Sequence, residues 1–216
     1  MKAVIFDFNG TMIFDDSLHE VAWRQFFSYK TGRNITDQEF HTYIHGRISE
    51  DILKHFIDRE LTASEINRLE EEKEIIYRKL CLESDSFRLV DGLENFLDLL
   101  KEKNIPVTIA TSSSYSNTRF FFDNLPLSAW FDFDRTVYSD GTLRGKPFPD
   151  LYLKAAEKLG VDIKDCTVFE DSASGIESAF RAGAGKIICV GNKISADTLE
   201  KYNVHTVIKD YTDIQI

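Results

Sequence analysis

Short apolar runs rich in β-branched residues alternate with stretches of helical periodicity along most of this chain. Val4-Ile5-Phe6, Val107-Thr108-Ile109-Ala110, Thr167-Val168-Phe169, Lys186-Ile187-Ile188-Cys189-Val190 and Thr206-Val207-Ile208 are mostly continuous rather than alternating. Continuity is the mark of a strand covered on both faces. Between most of these runs lie amphipathic segments, Leu93 to Lys103, Asp150 to Leu159 and Ser174 to Ala182, whose apolar positions recur at helical spacing. Strand and helix in alternation predict an α/β fold built on a doubly wound parallel sheet.

Residues 15–87 break that rhythm. Their apolar positions follow helical spacing, with few β-branched runs. Thr36-Asp37-Gln38-Glu39 and Thr62-Ala63-Ser64-Glu65 have the form of capping boxes that start helices. The predicted organisation is an α/β core of residues 1–14 and 88–216 interrupted by a helical domain of residues 15–87. Trp23, Phe26 and Phe27, with Ile66, Leu69, Lys73, Ile76, Tyr77 and Leu80, read as that domain's own packing stripe.

Composition narrows the choice of partners. The 216 residues hold 26 Lys and Arg against 36 Asp and Glu, a formal net charge of −10, with no basic run. Such a surface repels phosphodiester backbones and anionic lipid, so nucleic acid and membrane are not expected partners. Cys81, Cys166 and Cys189 are scattered and read as buried thiols in a reducing compartment. With no signal-peptide pattern and no long apolar run, a cytoplasmic monomer is expected.

In an open α/β sheet ligands gather beyond the carboxyl ends of the strands, so the polar residues that follow each strand matter most. The first strand delivers Asp7, with Gly10 in the turn after it. The second delivers Thr111, Ser112 and Ser113, hydroxyls and amides suited to phosphate oxygens. Gly145-Lys146-Pro147 places an ammonium in a short loop, and the strand at Thr167 ends in Glu170-Asp171-Ser172, carboxylates fit for a hard cation. Each motif alone is equally an ordinary turn, a solvated lysine or a helix cap.

Taken in this order and spacing, the four motifs resemble the haloacid dehalogenase superfamily, in its phosphatase and phosphomutase branch, over nearly the whole chain. The resemblance implies Mg²⁺-dependent phosphoryl transfer to or from a small phosphorylated metabolite. Asp7 would attack phosphorus, Thr111 and Lys146 would hold phosphate oxygens, and Gly10, Ser112 and Ser113 would line the phosphate. Asp7, the Asn9 carbonyl, Glu170 and Asp171 would hold the metal, and the helical insert would be a cap. Phosphoryl transfer asks mainly for positioning and charge neutralisation, which these groups supply.

One position departs from the pattern. The family's phosphatases and mutases have a second Asp two residues after the nucleophile, as proton donor and acceptor, and here it is Asn9. An amide does not exchange that proton, so turnover is expected to be slow. A beta-phosphoglucomutase-like mutase and a retired phosphate-metabolite binding protein are the alternatives. His19 and Lys73 resemble cap residues of the beta-phosphoglucomutase subgroup. Its cap Arg falls at Ser49, which leaves Arg47 as the nearby candidate for a distal phosphate. His41 and His45 are spaced as zinc ligands on one helix, but no third ligand is visible, and the pair reads as unpaired helical histidines.

Overall fold

The computed structural model describes residues 2–44, 47, 49–212 and 214. It divides into two compact units, Met1–Phe14 with Arg88–Ile216, and Asp15–Phe87. The first unit opens with β1 (Ala3–Phe6). The second unit holds α1 (Asp16–Thr31), α2 (Asp37–Glu39), α3 (Ser49–Phe56) and α4 (Ala63–Leu82). The chain then returns to the first unit through α5 (Leu93–Glu102), β2 (Val107–Ser114), α6 (Tyr115–Asn124) and β3 (Val137–Ser139). It ends with α7 (Asp150–Leu159), β4 (Cys166–Glu170), α8 (Ala173–Ala182), β5 (Lys186–Val190), α9 (Ala196–Lys201) and β6 (Thr206–Ile208).

Among the described residues the six strands form one sheet in the order β3-β2-β1-β4-β5-β6, with every neighbouring pair parallel. The two-residue period of a strand explains why β1 is apolar throughout. Ala3 and Ile5 enter a core with Leu151, Tyr152 and Ala155 of α7 and Ile176 and Ala179 of α8. Phe6 turns to the opposite face, stacks on Phe169 with centroids 5.0 Å apart, and meets the edges of Phe96 and Phe131. β1 is thereby the most enclosed strand, and whatever follows it is held by a rigid base.

The structure adds elements that the sequence pattern did not announce. The run from Val107 does not stop at Ala110 but continues to Ser114, whose side chain then caps α6. The inward face of α6 carries Asn117 and Thr118 beside Phe121 and Phe122, which blurs the apolar stripe. β3 is only three residues long, too short for a period to register. Ala182-Gly183 is the helix stop it resembles, with Gly183 at φ +81° closing α8.

In the helical unit both capping boxes form. Thr36 accepts from the Glu39 amide at 3.2 Å and Thr62 from the Glu65 amide at 3.3 Å, while each glutamate accepts in return from the threonine's own amide. Trp23, Phe26, Phe27, Phe40, Leu53 and Leu69 make this unit's core. Phe40–Ile44 turns as a π-helix. His45, and with it the paired-histidine reading, lies outside the described residues, as does Gly46. Cys81, Cys166 and Cys189 are buried free thiols. No described helix is long and apolar enough to cross a membrane.

Candidate active site

The chain leaves β1 toward β2 and β3 on one side, then crosses to β4, β5 and β6 on the other, so the strand order reverses between β1 and β4. A crevice opens at such a reversal beyond the carboxyl ends of the strands. Asp7 follows β1 there, its amide donating to the Phe169 carbonyl at 2.9 Å, while Glu170 closes β4 and Asp171 follows it. Lys146 reaches the same point from the loop before α7. Its Nζ donates to Asp7 Oδ1 at 2.5 Å and to Glu170 Oε1. Ser178 Oγ donates to the Phe148 carbonyl at 2.6 Å and ties that loop to α8.

Three carboxylates around one ammonium leave an excess of negative charge in a buried place. Burial, with the neighbouring Glu170 charge, pushes the Asp7 carboxyl up to about 7 against the pull of Lys146. Burial and the charges of Glu170 and Asp7 push Asp171 up to about 8. Lys146 pays for burial, but Asp7 and Glu170 together hold it well above the usual lysine range. The ammonium is therefore fixed and charged, as a phosphate ligand must be.

The loop after Asp7 is shaped by the absence of a side chain. Gly10 has φ +75°, and a β-carbon there would stand 2.1 Å from Asp171 Oδ2. Thr11 Oγ1 donates to Asp171 Oδ1 at 3.3 Å, and Tyr211 OH donates to the Thr11 carbonyl at 3.2 Å. On the β2 side the Ser113 amide donates to Thr111 Oγ1 at 3.0 Å, and Ser113 Oγ donates to Asn9 Oδ1 at 2.8 Å. Asp7, Asn9, Gly10, Thr111, Ser113, Lys146, Glu170 and Asp171 thus converge at the end of the sheet, while Ser112 is exposed in the strand between Thr111 and Ser113.

His19, Arg47 and Lys73 belong to the helical unit. Lys73 is buried there, its Nζ donating to His19 Nδ1 and to Glu74 Oε1, each at 2.8 Å. Lysine has no acceptor, so His19 carries its proton on Nε2, which faces Asp15 Oδ2 at 3.2 Å. Tyr77 donates to the same oxygen at 2.6 Å and stacks on His19 with centroids 3.9 Å apart. Lys73 is a buried member of a polar network, not a chain snorkelling past Tyr77. Arg47 is exposed.

Among the described residues, Asp7, Glu170 and Asp171 bring carboxylate oxygens within 4.8 Å of one another. An all-oxygen set carrying surplus negative charge suits a hard divalent cation. Glu170 is the least available of the three, because both of its oxygens are already taken. Oε1 accepts from Lys146 and Tyr152, and Oε2 accepts from Ser172 N at 2.8 Å and Ser172 Oγ at 3.0 Å. The sequence pattern pointed to none of Thr11, Tyr152 and Tyr211. Tyr152 carried a faint signal, since a tyrosine on the buried face of a helix needs an acceptor for its hydroxyl.

Comparison with known proteins places this geometry in a family. Residues 1–183 match the family model of haloacid dehalogenase-like hydrolases. A crystal structure of an HAD hydrolase, family IA, variant 3, from Entamoeba histolytica matches with a TM-score of 0.93 at 40% identity, covering 100% of this chain and 96% of that one. A phosphorylated carbohydrates phosphatase of Thermotoga maritima is 31% identical over 199 residues, which are 90% of this chain and 88% of the relative. A beta-phosphoglucomutase of Mycobacterium bovis is 27% identical over 243 residues, covering 99% of this chain and 91% of the relative.

Proposed function

Since this chain belongs to the haloacid dehalogenase-like hydrolases, we propose that it is a phosphomonoester hydrolase of small phosphorylated sugars with Asp7 as its nucleophile. The observation that carries the proposal is the buried Asp7 carboxylate, fixed at the end of the most enclosed strand and paired with the Lys146 ammonium. A carboxylate so placed meets phosphorus with little reorganisation, and the ammonium beside it offsets charge on the transferring oxygens. The Asp7–phosphorus bond forms as the bond to the leaving sugar oxygen breaks. Water then attacks phosphorus, which frees inorganic phosphate and restores Asp7. Phosphorylated sugars as substrates rest on the relatives named for phosphorylated carbohydrates and beta-phosphoglucomutase.

Mg²⁺ suits the site, held by Asp7, Asp171 and the Asn9 carbonyl, and when bound it would supply charge neutralisation at the phosphoryl group. Glu170 serves Lys146 in this reading. Thr111 and Ser113 shape the loop that faces the phosphate. Residues 15–87 are the proposed cap, with His19, Arg47 and Lys73 its candidate determinants of substrate choice.

The leaving oxygen needs a proton, and Asn9 has none to give. Its Oδ1 instead accepts from Ser113 Oγ. A positioned acid and base typically contribute about 10²–10⁴-fold in rate, so the protein is a slow phosphatase. Asn9 also favours a second reading, a binding protein that keeps metal and phosphate affinity without turnover. Phosphate release from a panel of sugar phosphates and p-nitrophenyl phosphate in Mg²⁺ tests the proposal. Asp7→Asn is expected to abolish release while leaving the melting transition in place; release that survives the change would point to a different nucleophile.

A further inference from the structure

We propose that Tyr152 is a positioning residue for Lys146, acting through Glu170. The inference rests on the phosphoryl-transfer reading of the site and deepens it. Tyr152 is fully buried in the first turn of α7, and its hydroxyl donates to Glu170 Oε1 at 3.0 Å. Lys146 Nζ donates to that same oxygen and stands 5.2 Å from the centroid of the Tyr152 ring. The phenol therefore touches the ammonium's environment twice, once through the shared oxygen and once through the ring face.

Glu170 cannot move to accommodate a change on either side. Its Oε2 is held by the amide and hydroxyl of Ser172, and Ser172 caps α8. A β-carbon on Gly175 would stand 1.6 Å from Glu170 Oε1, so the carboxylate is packed directly against the first turn of that helix. A carboxylate has about four lone-pair positions, and here four donors take them. Lys146 and Tyr152 compete for the charge of one oxygen. With the phenol donating, part of that charge is satisfied, and Lys146 is drawn less strongly toward Glu170. Its remaining donors are then better able to serve Asp7 and a phosphate oxygen. Without the hydroxyl, Lys146 is the sole partner of a fully buried charged oxygen and is drawn toward it.

The test is a double-mutant cycle of Tyr152→Phe and Glu170→Gln at fixed Mg²⁺, reading inorganic-phosphate affinity by calorimetry and KM and kcat for the best sugar phosphate, with melting temperature as the structural control. A hydrogen bond to a charged group is among the stronger ones, and acting one residue removed its loss should weaken phosphate binding by roughly 3- to 10-fold. KM should rise in parallel. In the Glu170→Gln background the same Tyr152 change should have little further effect, because the charge it tempers is gone. Tyr152→Leu, which also removes the ring, should weaken phosphate further. Unchanged phosphate affinity in Tyr152→Phe, or an equal loss with and without Glu170, would overturn the assignment. If the parent protein neither binds phosphate nor releases it from any substrate, the proposed function fails first and Tyr152 with it. Phosphate binding by the parent that is indifferent to Tyr152 removes only the present inference.

Discussion

Gly10 marks how closely one residue position can be constrained. Its φ of +75° is strained for any side chain, and a β-carbon would overlap Asp171 Oδ2. Gly10→Ala should displace Asp171 from the site and weaken Mg²⁺ affinity at least tenfold, measured by calorimetry on the intact protein; unchanged affinity would show that Asp171 is not a ligand. Asn9 invites a related test, because Asn-Gly is prone to deamidation through attack of the following amide nitrogen on the side-chain carbonyl. In the fold the Gly10 amide donates to the Ile13 carbonyl at 2.8 Å and Asn9 Oδ1 accepts from Ser113. Peptide mapping after incubation at mildly alkaline pH should find Asn9 intact in folded protein and converted in denatured protein. Equal conversion in both would mean that the loop opens freely. At this scale the sequence shows Asp7, Asn9, Lys146 and Asp171 plainly, because motif spacing carries them. It does not show Tyr152 or Tyr211, whose roles exist only through contacts with Glu170 and Thr11 that lie far away in the chain.

At the scale of elements, the site depends on where β1 and β4 end and how α8 begins. Ser172 both caps α8 and holds Glu170, so the helix start and the lysine's counter-charge are one arrangement. Gly175→Ala tests it: the added carbon overlaps Glu170, and forced overpacking of this kind costs about 1–3 kcal/mol. Thermal or urea unfolding should show that loss together with weaker phosphate binding, and loss of stability without any change in phosphate binding would separate α8 from the site. The central strands and α7 and α8 were legible because continuous apolar runs and clean amphipathic stripes identify buried elements. β3 and α9 were not, since three and six residues at the sheet's margin bury too little to leave a pattern. The long β2 was hidden by its polar end, where Thr111 to Ser114 read as a turn and are strand.

For the molecule as a whole, the cluster ties stability to pH and to metal. Asp7 and Asp171 rise from 3.8 to about 7 and about 8 on folding. Between the lower and the upper values the folded state keeps protons that the unfolded chain has released, so these groups make stability fall as pH rises through that window. Metal-free protein should therefore melt at a lower temperature at pH 8 than at pH 5. Mg²⁺ binds the deprotonated carboxylates and should raise the melting temperature more at pH 8 than at pH 5. A metal-free melting temperature that climbs over this range would contradict the assigned shifts. The central claim, a phosphoryl-transfer site complete except for its proton donor, is tested most directly by Mg²⁺-dependent phosphate release from sugar phosphates, comparing the protein as it stands with Asn9→Asp. The account predicts slow release by the parent and a gain of about 10²–10⁴-fold in the variant; no release by either protein, or no gain from restoring the carboxylate, would contradict it.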